Sequence, residues 1–111
     1  MEDTLATGLT VLASASAYNQ KYYFNDAFAK LPETVKQEIK IMCVLFTEDV
    51  GGIILLGFDE TGNLSIRTEA YEEDLLYDEI GAHLLAKKMQ EDKKELFEAL
   101  EVFYGTFMKE A

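Results

Sequence analysis

A chain of 111 residues is long enough to bury one hydrophobic core without disulfides and leaves little material for a second, so one domain is expected. Twenty-one acidic residues against ten basic ones give a formal net charge of −11. That field repels phosphate backbones and anionic lipid surfaces unless a basic patch overrides it. A hydrophobic fraction of 49%, with seven Phe and six Tyr, excludes an intrinsically disordered chain.

Residues 1–17 carry a weak helical pattern through Leu5, Leu9 and Leu12, diluted by Gly8 and by Thr and Ser. They are expected to form an N-terminal arm or weak helix, outside a single domain at 18–111. The small-residue run that ends at Ala17 does not make a secretory signal, because Glu2 and Asp3 stand where positive charges belong. No stretch approaches the ~18 apolar residues of a membrane span, so a cytoplasmic location is expected.

Tyr22-Tyr23-Phe24 suits a short strand over 20–24, and the turn-prone Asn25-Asp26 follows it. Leu31-Pro32-Glu33 then reads as a helix start, since proline is tolerated in the first turn and a carboxylate there complements the helix dipole. Val35, Ile39, Met42, Phe46 and Val50 recur at helical spacing, and Gly51 supplies the stop, which predicts a helix over 32–50. The single cysteine, Cys43, lies in the apolar run Ile41–Phe46 and reads as a buried side chain with no catalytic role.

Ile53–Phe58 is apolar on both alternating faces, Asp59–Asn63 supplies turn residues, and Leu64–Glu69 alternates apolar with polar, which together predict a β-hairpin over 53–69. Asp59, Thr61 and Asn63 copy the first positions of a calcium loop, but Leu64 occupies the glycine position and Ala70 stands where a bidentate glutamate is needed. Gly51-Gly52 neither precedes a helix nor carries a Lys-Ser/Thr pair, so no nucleotide, and no other cofactor, is expected. There is no Ser-centred nucleophile elbow and no internal repeat.

The stretch Glu72-Glu73-Asp74-Leu75-Leu76-Tyr77-Asp78-Glu79 holds five carboxylates in eight residues and opens a proline-free third that reads as helix. One reading makes Glu72, Glu73 and Asp74 the cap and first turn, with Asp78 and Glu79 facing water. The functional reading is a docking face for a basic protein partner, with Leu75, Leu76 and Tyr77 as apolar anchors inside a charged rim. Tyr18, Tyr22, Tyr23, Tyr71 and Tyr77 read as core or sheet-edge residues.

Ile80, Leu84, Leu85 and Met89, and then Leu96, Leu100, Phe103 and Phe107, recur at helical spacing on either side of a polar interval at 90–95. A continuous helix from Tyr77 to Phe107 would run roughly 45 Å, against a radius of gyration of ~13 Å for a domain of this size. The helix therefore breaks near 90–94 or projects to find a partner. The projecting form makes Leu85, Met89, Leu96, Leu100, Phe103 and Phe107 a self-association stripe and the protein a homodimer. The pairs Lys87-Lys88 and Lys93-Lys94 are flanked by acids and read as solvated helix faces, not as a nucleic-acid surface.

Glu79 and His83, four apart on one helix face and near Asp78, form the best candidate for acid/base or metal chemistry. Their specificity is poor, since a lone His offers no second imidazole and the spacing is not that of a di-iron bundle.

The segments Tyr18–Leu31, Pro32–Gly52 and Asp74–Gly81 resemble an uncharacterised family of small proteins from anaerobic Gram-positive bacteria, over about residues 18–108. The resemblance implies a bacterial, cytoplasmic setting, and no activity, cofactor or site. The expected fold class is α+β: a small antiparallel sheet built on the 53–69 hairpin, with 20–24 as a candidate further strand, packed against the 32–50 helix and the C-terminal helices. The expected function is that of a non-enzymatic protein-interaction module. The alternatives are a minor enzyme or metal-binding protein using Glu79 and His83, and a binder of a small apolar ligand between sheet and helix.

Overall fold

The structure is a computed structural model, and it describes residues 8–108. Among these, four strands form one antiparallel sheet: β1 (Thr10–Ser16), β2 (Lys21–Phe24), β3 (Ile53–Phe58) and β4 (Leu64–Glu69), in the order β2-β1-β3-β4. Three α-helices cover one face: α1 (Glu33–Val50), α2 (Glu79–Asp92) and α3 (Lys94–Phe103). The fold is α+β, and the 53–69 hairpin, the 20–24 strand and the helix after Pro32 all stand where periodicity puts them.

Residues 10–16 correct the expectation of a weak helix or detached arm. They form the strand that pairs on both sides, with Ser14 opposite Tyr23 in β2 and Leu55 in β3. The leucine spacing that suggests a helix is overridden because this segment's backbone groups find partners on two neighbouring strands. The remaining part of that expectation, residues 1–7, lies outside the described residues.

Strand β1 is not regular. The register against β3 shifts between Val11 and Ala13, so Leu12 is an extra residue, and the bulge leaves two carbonyls to be satisfied. Asn25 supplies both partners. Its Nδ2 donates to the Val11 carbonyl at 2.7 Å, its backbone N–H donates to the Leu12 carbonyl at 3.0 Å, and its Oδ1 accepts from the Ala27 N–H at 2.9 Å. The same residue thus closes the bulge and caps the short 3-10 turn at Asp26–Phe28, which explains a buried asparagine in an apolar setting.

Helix α1 lies mainly over β1, where Ala13 and Ala15 are small enough to let it approach. Ile39, Met42, Cys43 and Phe46 form its buried stripe against Ile54 and Leu56 of β3. At the far end, Phe28 stacks on Phe58 with centroids 5.6 Å apart, and Tyr104 stacks on Phe58 at 4.2 Å and 2°. Tyr104 comes from a π-helical turn, Tyr104–Met108, that ends α3. Full burial of a side chain such as Phe28 contributes roughly 1.5–3 kcal/mol. On the other face, Leu9 seats against Gly57, where a Cβ would come within 2.8 Å of the Leu9 Cβ.

The long C-terminal helix breaks at Lys93, whose φ of −110° and ψ of 27° separate α2 from α3. Lys93 is tied to α1 by a 2.9 Å ion pair with Glu38. The break lets α3 turn Phe97 and Leu100 into the core, and the Glu101 carboxylate accepts from the Leu64 N–H at the start of β4 at 2.8 Å. The radius of gyration is 13.7 Å, as a folded-back chain requires. The helix also starts later than the acids suggest. Its first residue is Glu79, and Glu72, Glu73 and Asp74 lie in turns ahead of it instead of forming its cap and first turn.

Two measurements check this account. Asn25→Ala should lower the unfolding free energy by about 2–4 kcal/mol in urea, because it removes a cap and strands the Val11 carbonyl. Asn25→Asp should not rescue it, since a carboxylate cannot donate.

Burial pushes the Cys43 thiol up to about 12 from its ordinary 9.0, and burial also raises the Tyr22 phenol, with Cys43 adding to the effect. Both groups hold their protons more tightly when folded. Their contribution to stability is therefore complete below about pH 9 and is lost as pH rises toward 12. Thermal midpoints should fall through that window, and less steeply in Cys43→Ala.

Candidate functional site

The segment between β4 and α2 is where the sequence concentrates its charge, and three aromatic anchors hold it. The Tyr18 and Tyr71 rings stack at 3.9 Å and 12°. The Tyr18 hydroxyl donates to Asp74 Oδ2 at 2.6 Å and accepts from the Tyr71 N–H at 3.1 Å. Tyr77 lays its ring on Gly52, where a Cβ would come within 2.6 Å of Tyr77 Cε1 and 2.7 Å of the Glu69 carbonyl. Gly52 has a φ of 71°, so the corner after α1 needs glycine on both conformational and steric grounds. The Ala17 N–H donates to the Gly52 carbonyl at 2.9 Å and joins the β1–β2 turn to the same platform.

These anchors decide where the leucines point. Asp74 and Tyr77 are tied inward on either side of Leu75 and Leu76, and a turn closed from the Tyr77 N–H to the Asp74 carbonyl forces the two residues between them outward. Leu75 is 89% exposed and Leu76 is 95% exposed. Ile80 and Leu84, one turn apart on α2, extend the exposed apolar surface along the helix.

The five carboxylates divide by role. Asp74 is an anchor, and Asp78 is the N-cap of α2, accepting from the Gly81 N–H at 2.9 Å. Gly81 has no side chain to collide with that carboxylate, which sits where its Cβ would be. Glu72, Glu73 and Glu79 remain exposed around the leucines. They form the charged rim, while Tyr77 lies half-buried beneath it with its hydroxyl enclosed and unpartnered among the described residues.

The Glu79 and His83 pair is brought together only by sequence spacing. Both side chains are exposed, and among the described residues neither makes a side-chain hydrogen bond or ion pair. No group of three or more His, Cys, Asp or Glu among the described residues is placed to hold a metal ion.

The C-terminal stripe is mostly used inside the chain. Leu100 is buried, Leu96 and Phe103 pack against the core, and Phe107 is exposed beyond them. Leu85 and Met89 are half-buried where α2 meets α1. Ile41 and Leu45 are exposed as well, and no candidate set from sequence includes them. Their signal was present: they stand four apart on α1, off the stripe that reads as its buried face. No helix among the described residues is long and apolar enough to cross a membrane.

The anchor can be probed through Tyr18. Loss of surrounding water, and then the hydrogen bond to Asp74, raise its phenol above the ordinary 10.0, so the anchor is intact below that pH and is lost as pH rises through the folded value. Tyr18→Phe keeps the ring stack and removes both hydrogen bonds. Amide exchange across 71–77 should then quicken several-fold while α1 amides keep their protection.

No curated protein and no solved structure matches the chain. A family model does match, over residues 9–111, and its span takes in β1 together with the rest of the sheet and all three helices, so this strand is part of the family's unit and not an added arm. By that match the chain belongs to a family of unknown function, DUF6145.

Proposed function

We propose that the protein is a non-enzymatic interaction module that captures a basic protein partner on the surface formed by residues 72–84. The observation that carries this reading is the near-complete exposure of Leu75 and Leu76 on a segment fixed by Tyr18, Tyr71 and Tyr77. An ordered surface loses less entropy on docking than a floppy one. Apolar anchors at the centre supply affinity, and Glu72, Glu73 and Glu79 around them supply steering toward Lys and Arg. A bacterial cytoplasm is the setting we propose, from the sequence resemblance.

A second copy of the chain does not suit this surface. A two-fold contact here would set one carboxylate rim against another, between molecules that already carry −11 each. Self-association through the C-terminal stripe loses most of its support, since Leu100 is buried and Leu85, Met89, Leu96 and Phe103 pack on the chain's own core, which leaves Phe107 as the exposed member of the set. The Glu79 and His83 alternative has the exposure that a metal or substrate would need but, among the described residues, no third ligand beside the pair.

A lysine- and leucine-rich amphipathic peptide, titrated against isotope-labelled protein, tests the proposal. Amide shifts should saturate and cluster over 72–84, and binding should weaken with added salt. Leu75→Ser with Leu76→Ser should reduce affinity at least tenfold, because each leucine contributes roughly 1.5 kcal/mol or more when fully buried. His83→Ala should leave binding unchanged. Shifts that scatter over the surface, or binding indifferent to the leucine substitutions, would sink the idea.

A further inference from the structure

We propose that the hollow between α1 and the β1–β2 hairpin binds a small organic monocarboxylate, independently of the acid-ringed segment. The hollow measures about 830 Å³, within the size range of small-molecule sites. Ala15, Ala17, Val44 and the ring of Tyr22 give it an apolar floor. Ala15 stands opposite Tyr22 in the pairing of β1 with β2, so the strand alternation turns both toward α1.

Charge sets the kind of ligand. Lys21, at the start of the edge strand β2, and Lys40, on α1, both line the hollow, and among the described residues neither has an ion pair. Acids outnumber bases by 21 to 10 in this chain, yet the surroundings of these two lysines withhold them. The residues three and four away from Lys40 on α1 are Lys36, Gln37, Cys43 and Val44, and Lys21 stands opposite Ser16. In the groove between α1 and α2 the pattern is the reverse, since Lys88 meets Asp92 and Lys93 meets Glu38. Lys40 Nζ is instead held 5.9 Å from the centroid of the Tyr22 ring, over the apolar floor. A carboxylate with an apolar body meets both demands, its charge on the free ammonium groups and its body on the ring and the alanines.

The remaining lining narrows the choice. Ser16 Oγ accepts from the Tyr18 N–H at 3.2 Å and keeps its own hydrogen to donate to a ligand. Gln20 adds an amide, on a backbone with a φ of 53°, the single non-glycine residue of positive φ among the described residues. Such a conformation costs roughly 1 kcal/mol, and strain of this kind gathers at binding sites. Glu48 is the one carboxylate of the lining, two turns from Lys40 and so roughly 12 Å along the axis of α1. A second negative charge on the ligand would meet it, which selects a monocarboxylate over a dicarboxylate or a nucleotide.

Titration of the full-length, isotope-labelled protein with phenylacetate reads the site directly. Amide shifts should saturate in the millimolar range or below and cluster over 15–22 and 40–48. Phenylacetamide has the same body without the charge, and acetate has the charge without the body. Each should bind roughly tenfold more weakly or worse. Lys40→Met should lower phenylacetate affinity roughly tenfold through loss of a charge-assisted hydrogen bond, while Lys40→Arg keeps most of it. Circular dichroism of these variants should match the parent, as Lys40 is exposed. Should Lys40→Met fail to fold, Lys21→Met, on a different element, replaces it. Glu48→Gln should admit terephthalate, a dicarboxylate that the parent excludes. Leu75→Ser with Leu76→Ser should leave phenylacetate binding unchanged, which keeps the two surfaces separable. Shifts that do not saturate or lie elsewhere, equal binding of phenylacetamide, or indifference to loss of the lysine charge overturns the proposal.

Discussion

The double pairing of β1 is the constraint on which the rest of the structure depends. A seven-residue strand near the start of the chain sits between β2 and β3, and without it β2 and the β3–β4 hairpin share no hydrogen bonds. Its small residues let α1 approach, its bulge calls for Asn25, and its last residues lead to the turn that carries Tyr18. The contact with β3 closes a loop of about forty residues, and such closure becomes favourable only when many contacts form together. The sheet, the helix above it and the platform for the acidic segment are therefore parts of one cooperative unit.

That unit explains how exposed leucines persist on an ordered segment. Left to itself, Leu75-Leu76 would turn toward the core, as most adjacent aliphatic residues do. Asp74 is instead held by Tyr18, and Tyr77 is held by the glycine corner after α1, so the turn between them has one direction left. The acids are not equivalent either. Those that serve the fold, Asp74 and Asp78, accept hydrogen bonds within the chain, while Glu72, Glu73 and Glu79 face solvent. A uniform run of charge in the sequence thus becomes a structural pair and a free rim. The α1–α2 groove differs in kind, because Lys93 pairs with Glu38 and Lys88 with Asp92 at its edge and its centre is apolar.

Much of the fold was legible where local periodicity and burial agree. The 32–50 helix, the 53–69 hairpin and the short aromatic strand each carry a pattern that survives into the structure, because their apolar residues face the one core available. The two halves of the C-terminal stripe were legible too, but chain dimensions left a break near 90–94 and a projecting helix both open, and the structure decides for the break at Lys93. Strand β1 was misread because Ala13, Ser14, Ala15 and Ser16 carry almost no intrinsic preference, so the leucines at 5, 9 and 12 dominated the pattern. The helix start at Glu79 was displaced for a related reason: acids favour a helix N-terminus, but Asp74 was already engaged by Tyr18 from another part of the chain.

The sequence by itself determined the class of the fold, the surplus of negative charge and the place where that charge is concentrated, because composition and period are local properties. It also marked Leu75, Leu76 and Tyr77 as apolar residues inside the charge. Only the tertiary structure decided which of these face outward, since that rests on a stack between Tyr18 and Tyr71 and on Tyr77 meeting Gly52, contacts between residues far apart in the chain. It also decided how far each apolar helix position is covered: Leu100 closes the core, while Ile41 and Leu45, off the buried stripe of α1, stay open. A helical period shows that a face is apolar; what covers that face depends on how the chain folds back, and here the turn at Lys93 set it.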